Sequence, residues 1–200
     1  MAPTTFTDLF GRQPLVAADA PGRVNLIGDH TDYNGGYVLP MAIPQRTRAE
    51  LAPRDDHRVR AWTANLPRAV EEYRLGEETR GRGWLDYVQG VTQALRRAGH
   101  EPGGFDLRIG SEVPLGSGLS SSAALEVALL RVLREAFSLK LNDVEIALLG
   151  QQAEHDFVGA PVGVMDQMAA SLADDHSALF LDTRTLKLER VPLPAGSRWR

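Results

Sequence analysis

Asp29, His30, Thr31 and Asp32 place two carboxylates, an imidazole and a hydroxyl in one run of the chain. Such a run builds a poor core and suits a polyhydroxylated ligand, because carboxylates accept from hydroxyl groups and an imidazole can donate or accept. Arg23, upstream, is always cationic and can counter these carboxylates or a ligand phosphate. The apolar stretch Val24 to Ile27 leads into the cluster like a strand, and Tyr33-Asn34-Gly35-Gly36 behind it is a strong turn signal.

A second group of chemistry-bearing residues is Pro114-Leu115-Gly116-Ser117-Gly118-Leu119-Ser120-Ser121-Ser122, between a strand pattern and a helix pattern. Glycine permits positive φ and close backbone approach to a ligand. The start of the following helix offers free N–H groups and the positive end of its dipole. With the hydroxyls added, the loop suits a phosphate, although a Gly/Ser loop with an ordinary helix cap has the same composition. No lysine follows a glycine anywhere in the chain, so the standard phosphate-loop pattern is absent, and position 121 is serine where a third dinucleotide-motif glycine would stand. Backbone amides and a magnesium ion, which takes a few hard oxygens plus the phosphates, would then neutralise the charge.

The third group is Glu154-His155-Asp156, followed by Asp166 in Gly163-Val164-Met165-Asp166-Gln167. By themselves, an aspartate placed like Asp166 is more often a dipole-complementing residue near a helix start, and a glutamate like Glu154 more often a solvated helix charge. His155 reads as a surface or capping residue.

The elements that must position these groups follow from pattern. A short helical start over 5–10 ends at Gly11. Strands are expected over 46–53, 59–64 and 70–75, with an exposed Gly/Glu/Arg connection over 76–83. Trp84, Val88, Val91, Leu95 and Ala98 recur at helical spacing up to Gly99. Phe105, Leu107 and Ile109 alternate with Asp106 and Arg108 as on a half-buried strand. Helices are expected over 123–137, over 144–157 behind an Asn142 or Asp143 cap, and over 164–173, and a hairpin over 178–182 and 186–191. Strands mixed with helices favour α+β over a doubly wound parallel sheet.

Composition bounds the function. The chain has 200 residues with 43% apolar and 24% charged content, as in an ordinary soluble globular protein. A net charge of −4 speaks against nucleic acid as a partner. Cysteine is absent, which excludes disulfides and thiolate metal sites. The N-terminus lacks a signal-peptide pattern and the apolar runs are too short to span a membrane, so a cytoplasmic location without a membrane partner is expected. The oligomeric state is not legible.

Taken together, the three groups resemble the galactokinase group of the GHMP small-molecule kinases. Gly22-Arg23-Val24-Asn25-Leu26-Ile27-Gly28-Asp29-His30-Thr31-Asp32-Tyr33-Asn34-Gly35-Gly36 is similar to the galactokinase signature, specific to sugar kinases of this group. Pro114 to Ala124 resembles the second GHMP motif, shared across the superfamily. Gln152-Ala153-Glu154-His155 with Gly163-Val164-Met165-Asp166-Gln167 resembles the segment carrying the magnesium ligand and the catalytic aspartate. Order and spacing match over essentially the whole chain.

The resemblance implies an α+β GHMP kinase N-terminal domain, ribosomal protein S5 domain 2-like, over residues 1–200, with the C-terminal GHMP domain absent from this chain. It implies ATP-dependent phosphorylation of galactose at the anomeric hydroxyl, with ATP and Mg2+ as cofactors. A kinase for a related sugar, such as N-acetylgalactosamine or arabinose, and a non-catalytic galactose binder are the alternatives. Asp166 and Arg23 would be catalytic. Asp29, His30, Thr31, Asp32 and Gly163 would bind the sugar. Gly116, Ser117, Gly118, Leu119, Ser120, Ser121 and Ser122 would hold the nucleotide phosphates, and Ser122 and Glu154 would ligate magnesium.

Two departures stand out. Position 29 is Asp where the family usually has Glu; the side chain is one methylene shorter, which bears on specificity for the hydroxyl it meets. The family's third, glycine-rich motif and a sugar-contacting tyrosine do not occur within the 200 residues, so the chain alone is expected to turn over little substrate.

Overall fold

The structure, a computed structural model, describes residues 4–28, 30–66 and 69–194. An eight-stranded mixed sheet is covered by helices. Strands β1 (Val16–Asn25) and β3 (Pro40–Pro53) form a long antiparallel pair. Along its other edge β3 pairs with β7 (Ser177–Asp182) near its start and β6 (Phe105–Ser111) at its end. The parallel pair β6–β4 (Arg58–Thr63) and then β5 (Glu71–Arg74) extend one side. The short β2 (Tyr37–Val38) and β8 (Leu188–Pro192) flank β7.

Helix α1 (Phe6–Phe10) starts in a capping box on Thr5 and stops at Gly11, which has φ +69°. Helices α2 (Leu85–Arg97), α3 (Ser121–Ala136), α4 (Asp143–Gln152) and α5 (Met165–Leu172) pack their apolar stripes on the sheet. Val88, Val91 and Leu95 of α2 join Val127, Leu130 and Leu133 of α3 over Leu51, Phe105 and Leu107, the inward-facing residues of β3 and β6. A smaller cluster, Val38, Ala147, Met165, Met168, Leu179 and Leu181, locks α4 and α5 to the β2–β7 edge.

Most expected elements are present to within a few residues, and Asn142 caps α4 through a reciprocal box with Glu145. Four expectations need correction. The strand expected at Val24 begins at Val16 and stops at Asn25, leaving Leu26 and Ile27 exposed beyond it. Past Asn25, which lies opposite Pro40, Leu26 and Ile27 still exchange backbone hydrogen bonds with Leu39, each at 3.0 Å, outside the regular ladder. The strand expected from Arg46 starts at Pro40, because β1 pairs with it along that whole length.

The helix expected over 144–157 is α-helical only to Gln152; Ala153–Val158 form a π-helical turn, closed by Gly159 N donating to the Glu154 carbonyl at 3.0 Å. Gly90 of α2 makes room for this turn, since a Cβ there would lie 3.0 Å from the Ala153 carbonyl.

Asp106, expected on a solvent face, is fully buried. Arg12 Nε donates to its Oδ2 at 2.9 Å, and Arg60 Nε and Arg54 Nη1 donate to its Oδ1 at 2.6 and 3.2 Å. Alternation alone cannot foresee that three arginines, one from beyond α1, converge on this carboxylate. Burial pushes the Asp106 carboxyl up, but the bonds from Arg60 and Arg12 outweigh it and hold the group below its ordinary value of 3.8. The stability this gives is present above pH 3.8 and is lost as pH falls from there through the lower folded value. Asp106→Asn is therefore expected to lower the unfolding free energy at pH 7 by about 1.5–3 kcal/mol and to flatten this acid-side loss, read by urea denaturation across pH.

Candidate active site

The backbone at the start of the signature brings the three groups of residues together. The β1–β3 register shifts between Pro21 and Arg23, a bulge of the kind that re-aims a side chain. Gly22 sits on it so close to the Gly-Ser loop that a Cβ would lie 2.7 Å from the Leu119 carbonyl. Arg23 N donates to that same carbonyl at 3.1 Å. The Arg23 side chain then reaches α5: Nε donates to Asp166 Oδ1 and Nη2 to Oδ2, both at 2.8 Å. Its remaining arm donates from Nη1 to the Gly118 carbonyl at 2.6 Å. One guanidinium thus ties β1, the Gly-Ser loop and α5 with the forked geometry that only arginine offers.

Arg23 and Asp166 line a cavity of about 560 Å³ together with Asn25, His30, Asp32, Tyr33, Gly118 and Gly163. Asp32 opens a 3₁₀ turn, Asp32–Asn34, and its Oδ1 accepts from Val164 N and Met165 N, each at 3.1 Å. Burial pushes the Asp32 carboxyl above its ordinary value against these two N–H bonds, and nearby Asp166 pushes the same way. Gly163 is required at this junction, because a Cβ there would collide with the Asp32 carboxylate. His30, at φ +61°, stands exposed on the rim with Nδ1 2.6 Å from the Tyr33 hydroxyl.

Thr31 is not brought to the cavity. Its hydroxyl donates to the Gly28 and Tyr37 carbonyls, both at 2.8 Å, and holds the loop closed. Asp29 lies outside the described residues.

The Gly-Ser loop divides its hydroxyls. Ser117 Oγ donates to the Pro114 carbonyl at 2.8 Å, within the loop's own turn. Gly116 and Gly118 take φ of +69° and +74° with open space where a Cβ would be, so their requirement is conformational. Ser120, at φ +58°, turns its buried hydroxyl to donate to Asp166 Oδ2. It therefore serves the aspartate, an outcome that serine spacing gives no means to foresee. Ser121 and Ser122 open α3, whose N-cap makes no side-chain bond, leaving its first N–H groups to the loop. Both line a second cavity of about 220 Å³ with Thr63, Trp84, Tyr87 and Leu115.

The π-helical turn delivers Glu154 to the same region. Its side chain is buried, and that burial pushes it above its ordinary value against the lowering effect of nearby Ser122. Gln167, next to Asp166, donates to Glu154 Oε2 at 2.8 Å. Among the described residues no cluster of three or more His, Cys, Asp or Glu side chains could hold a metal by itself. A hydroxyl and one carboxylate beside a phosphate-suited loop instead fit a magnesium ion that completes its shell with phosphate oxygens and water. Asn25, Tyr33, Glu126 and Gln167 were not found from sequence, although a lone Glu126 in the apolar run Ala123 to Leu130 was a usable signal.

With this geometry in view, the comparisons are specific. The galactokinase galactose-binding signature matches residues 4–53, and the GHMP kinases N terminal domain matches residues 86–174. A galactokinase of Thermococcus kodakarensis is 49% identical over 175 residues, covering 88% of this chain and 49% of that protein. A Streptomyces coelicolor galactokinase is 46% identical over 189 residues, covering 94% of this chain and 49% of its own. The crystal structure of Lactococcus lactis galactokinase complexed with galactose superposes with a TM-score of 0.89 at 40% identity, over 94% of this chain and 50% of that one. The chain belongs to the galactokinase family of the GHMP kinases. It spans about half the length of the relatives it matches.

The Gly163–Asp32 packing has a direct test. Gly163→Ala must displace the Asp32 carboxylate from its two N–H donors and is expected to cost about 1–3 kcal/mol of stability. Asp32→Ala in the same chain removes the collision, so the double variant should recover part of that loss as a coupling of roughly 0.5–3 kcal/mol. Thermal denaturation of the two single variants and the double variant reads it.

Proposed function

We propose that the protein transfers the γ-phosphoryl group of ATP to the anomeric hydroxyl of galactose, giving galactose 1-phosphate and ADP. The observation that carries this reading is the bidentate Arg23–Asp166 pair, set where the acidic signature loop meets the Gly-Ser loop. A carboxylate facing a sugar-sized cavity beside an anion-suited helix start is what an attacking hydroxyl and a phosphate tail require together. The bound galactose in the Lactococcus lactis relative supports the choice of sugar.

In this reading His30, Asp32 and Gly163 border the sugar, Thr31 holds their loop, and Asp29 is a further sugar-binding residue. Asp32 carries the main hydroxyl contact, since only one of its oxygens is engaged by Val164 and Met165. Gly116 to Ser122 and the first N–H groups of α3 hold the phosphates. Asp166 accepts the proton of the anomeric hydroxyl as that oxygen bonds to the γ-phosphorus and the bond to the bridging oxygen of ADP breaks. Ser120 and Arg23 keep both carboxylate oxygens of Asp166 oriented, and Arg23 offsets negative charge on the transferring group. Ser122 and Glu154 would hold magnesium, which when bound neutralises phosphate charge. ATP chemistry of this kind also fits the expected cytoplasmic location, and no helix among the described residues is long and apolar enough to cross a membrane.

An ADP-release assay on the complete gene product, with galactose, N-acetylgalactosamine, arabinose and glucose as acceptors, tests the reading. Galactose should be preferred, and Asp166→Asn should lower kcat by about 10²–10⁴-fold while galactose binding persists by calorimetry. Turnover independent of sugar, or an Asp166→Asn enzyme at full rate, would sink it.

A further inference from the structure

Glu126 stands on α3 four residues past Ser122, and its side chain is fully buried. Gln167 of α5 is buried opposite it, and its Nε2 donates twice, to Glu154 Oε2 at 2.8 Å and to Glu126 Oε2 at 3.0 Å. This fixes which way the amide faces. Turned over, its carbonyl oxygen would confront the Glu154 carboxylate oxygen with no hydrogen between them. Gly150 of α4 leaves the space, since a Cβ there would stand 3.1 Å from Gln167 Cγ.

Two buried oxygens, Glu126 Oε1 and Gln167 Oε1, have no partner among the described residues. They are the remaining oxygens of a carboxyl and an amide already joined by one N–H···O bond. A carboxylic acid and a primary amide can pair through two bonds, the second running from the acid O–H to the amide oxygen. A Glu126 that carries its proton would pair the two orphans with each other, whereas an ionised one leaves both unsatisfied, a costly state for buried polar atoms. Burial, and then the charge of Glu154, push the Glu126 carboxyl well above its ordinary value in the same sense.

We propose that Gln167 is the positioning residue for Glu154, and that Glu126 is the buried acid that locks the Gln167 amide in the orientation this requires. The inference rests on the reading of Glu154 as a magnesium ligand. It makes Gln167 an outer partner of the kind that orients a ligating carboxylate and tunes its metal. Neither Gln167 nor Glu126 is among the residues lining the Asp166 cavity or the cavity beside Ser122; each acts through Glu154.

The test measures ATP binding by calorimetry on the complete gene product, across magnesium concentrations and in EDTA. Gln167→Met should raise the magnesium concentration for half-maximal binding by about 10–100-fold, leave affinity in EDTA unchanged, and regain a near-normal kcat at saturating magnesium. Glu126→Gln keeps both bonds to Gln167, because its amide donates where the acid did, and should match the parent protein. Glu126→Met should behave like Gln167→Met. Circular dichroism melting checks that each variant folds; if Gln167→Met does not, the comparison of Glu126→Gln with Glu126→Met carries the test. Unchanged magnesium dependence in folded Gln167→Met overturns the proposal, as does a Glu126→Gln protein as impaired as Glu126→Met. A parent protein whose ATP binding ignores magnesium overturns the magnesium reading itself, and this inference with it.

Discussion

The forked contact between Arg23 and Asp166 is the constraint on which the rest of the site depends. Its partners are 143 residues apart in sequence, so only the closed tertiary structure can make it. The β1 bulge turns the guanidinium inward, Gly22 lets the Gly-Ser loop lie against the strand, and the Gly118 carbonyl takes the arm that Asp166 leaves free. Lysine could satisfy one of these contacts as a point charge but not all of them in one plane. The pair is partly shielded, with side-chain exposures of 14% and 23%, so solvent screens it less than a surface ion pair.

Around that contact the fold separates two tasks. The sheet and the stripes of α2 and α3 form a dry core in which large apolar side chains interlock, and this part tolerates little movement. The functional side chains sit at the ends of its elements: the end of β1, the start of α3, the end of α4 and the start of α5. Helix starts supply free N–H groups and strand ends supply directed side chains, so chemistry collects where the regular ladders stop. The Asp106 cluster belongs to the other task. It ties the segment after α1 to β3, β4 and β6, and lies among residues that border a different cavity from the one Asp166 lines.

Much of this was legible in the sequence because it was written in local patterns. The α2 stripe, the Asn142 cap, the hairpin of β7 and β8 and the three motif segments all announce themselves through spacing or turn chemistry. What escaped depended on distant partners. Residues 16–21 hide a strand behind Ala, Asp and Pro, because only pairing with β3 makes them one. Asp106 alternates like a surface residue and is buried by arginines from three other segments. Ser120 looked like one of three equivalent hydroxyls until its left-handed backbone turned it toward Asp166. Thr31 sat among ligand-suited neighbours and proved to be the clasp of their loop.

The π-helical turn at Ala153–Val158 carries a consequence of another kind. Such a turn holds one residue more than the α-helix would need between the same flanking points. Removing Ala153 from it would let α4 run on as an ordinary helix and turn Glu154 by about 100° around the axis. Glu154 would leave Gln167, and the packing of the turn on Gly90 would be lost with it. Among descendants of this chain, the length of that segment is thus inherited information in its own right. A relative one residue shorter there keeps the glutamate in its sequence and loses the place its carboxylate holds beside Gln167.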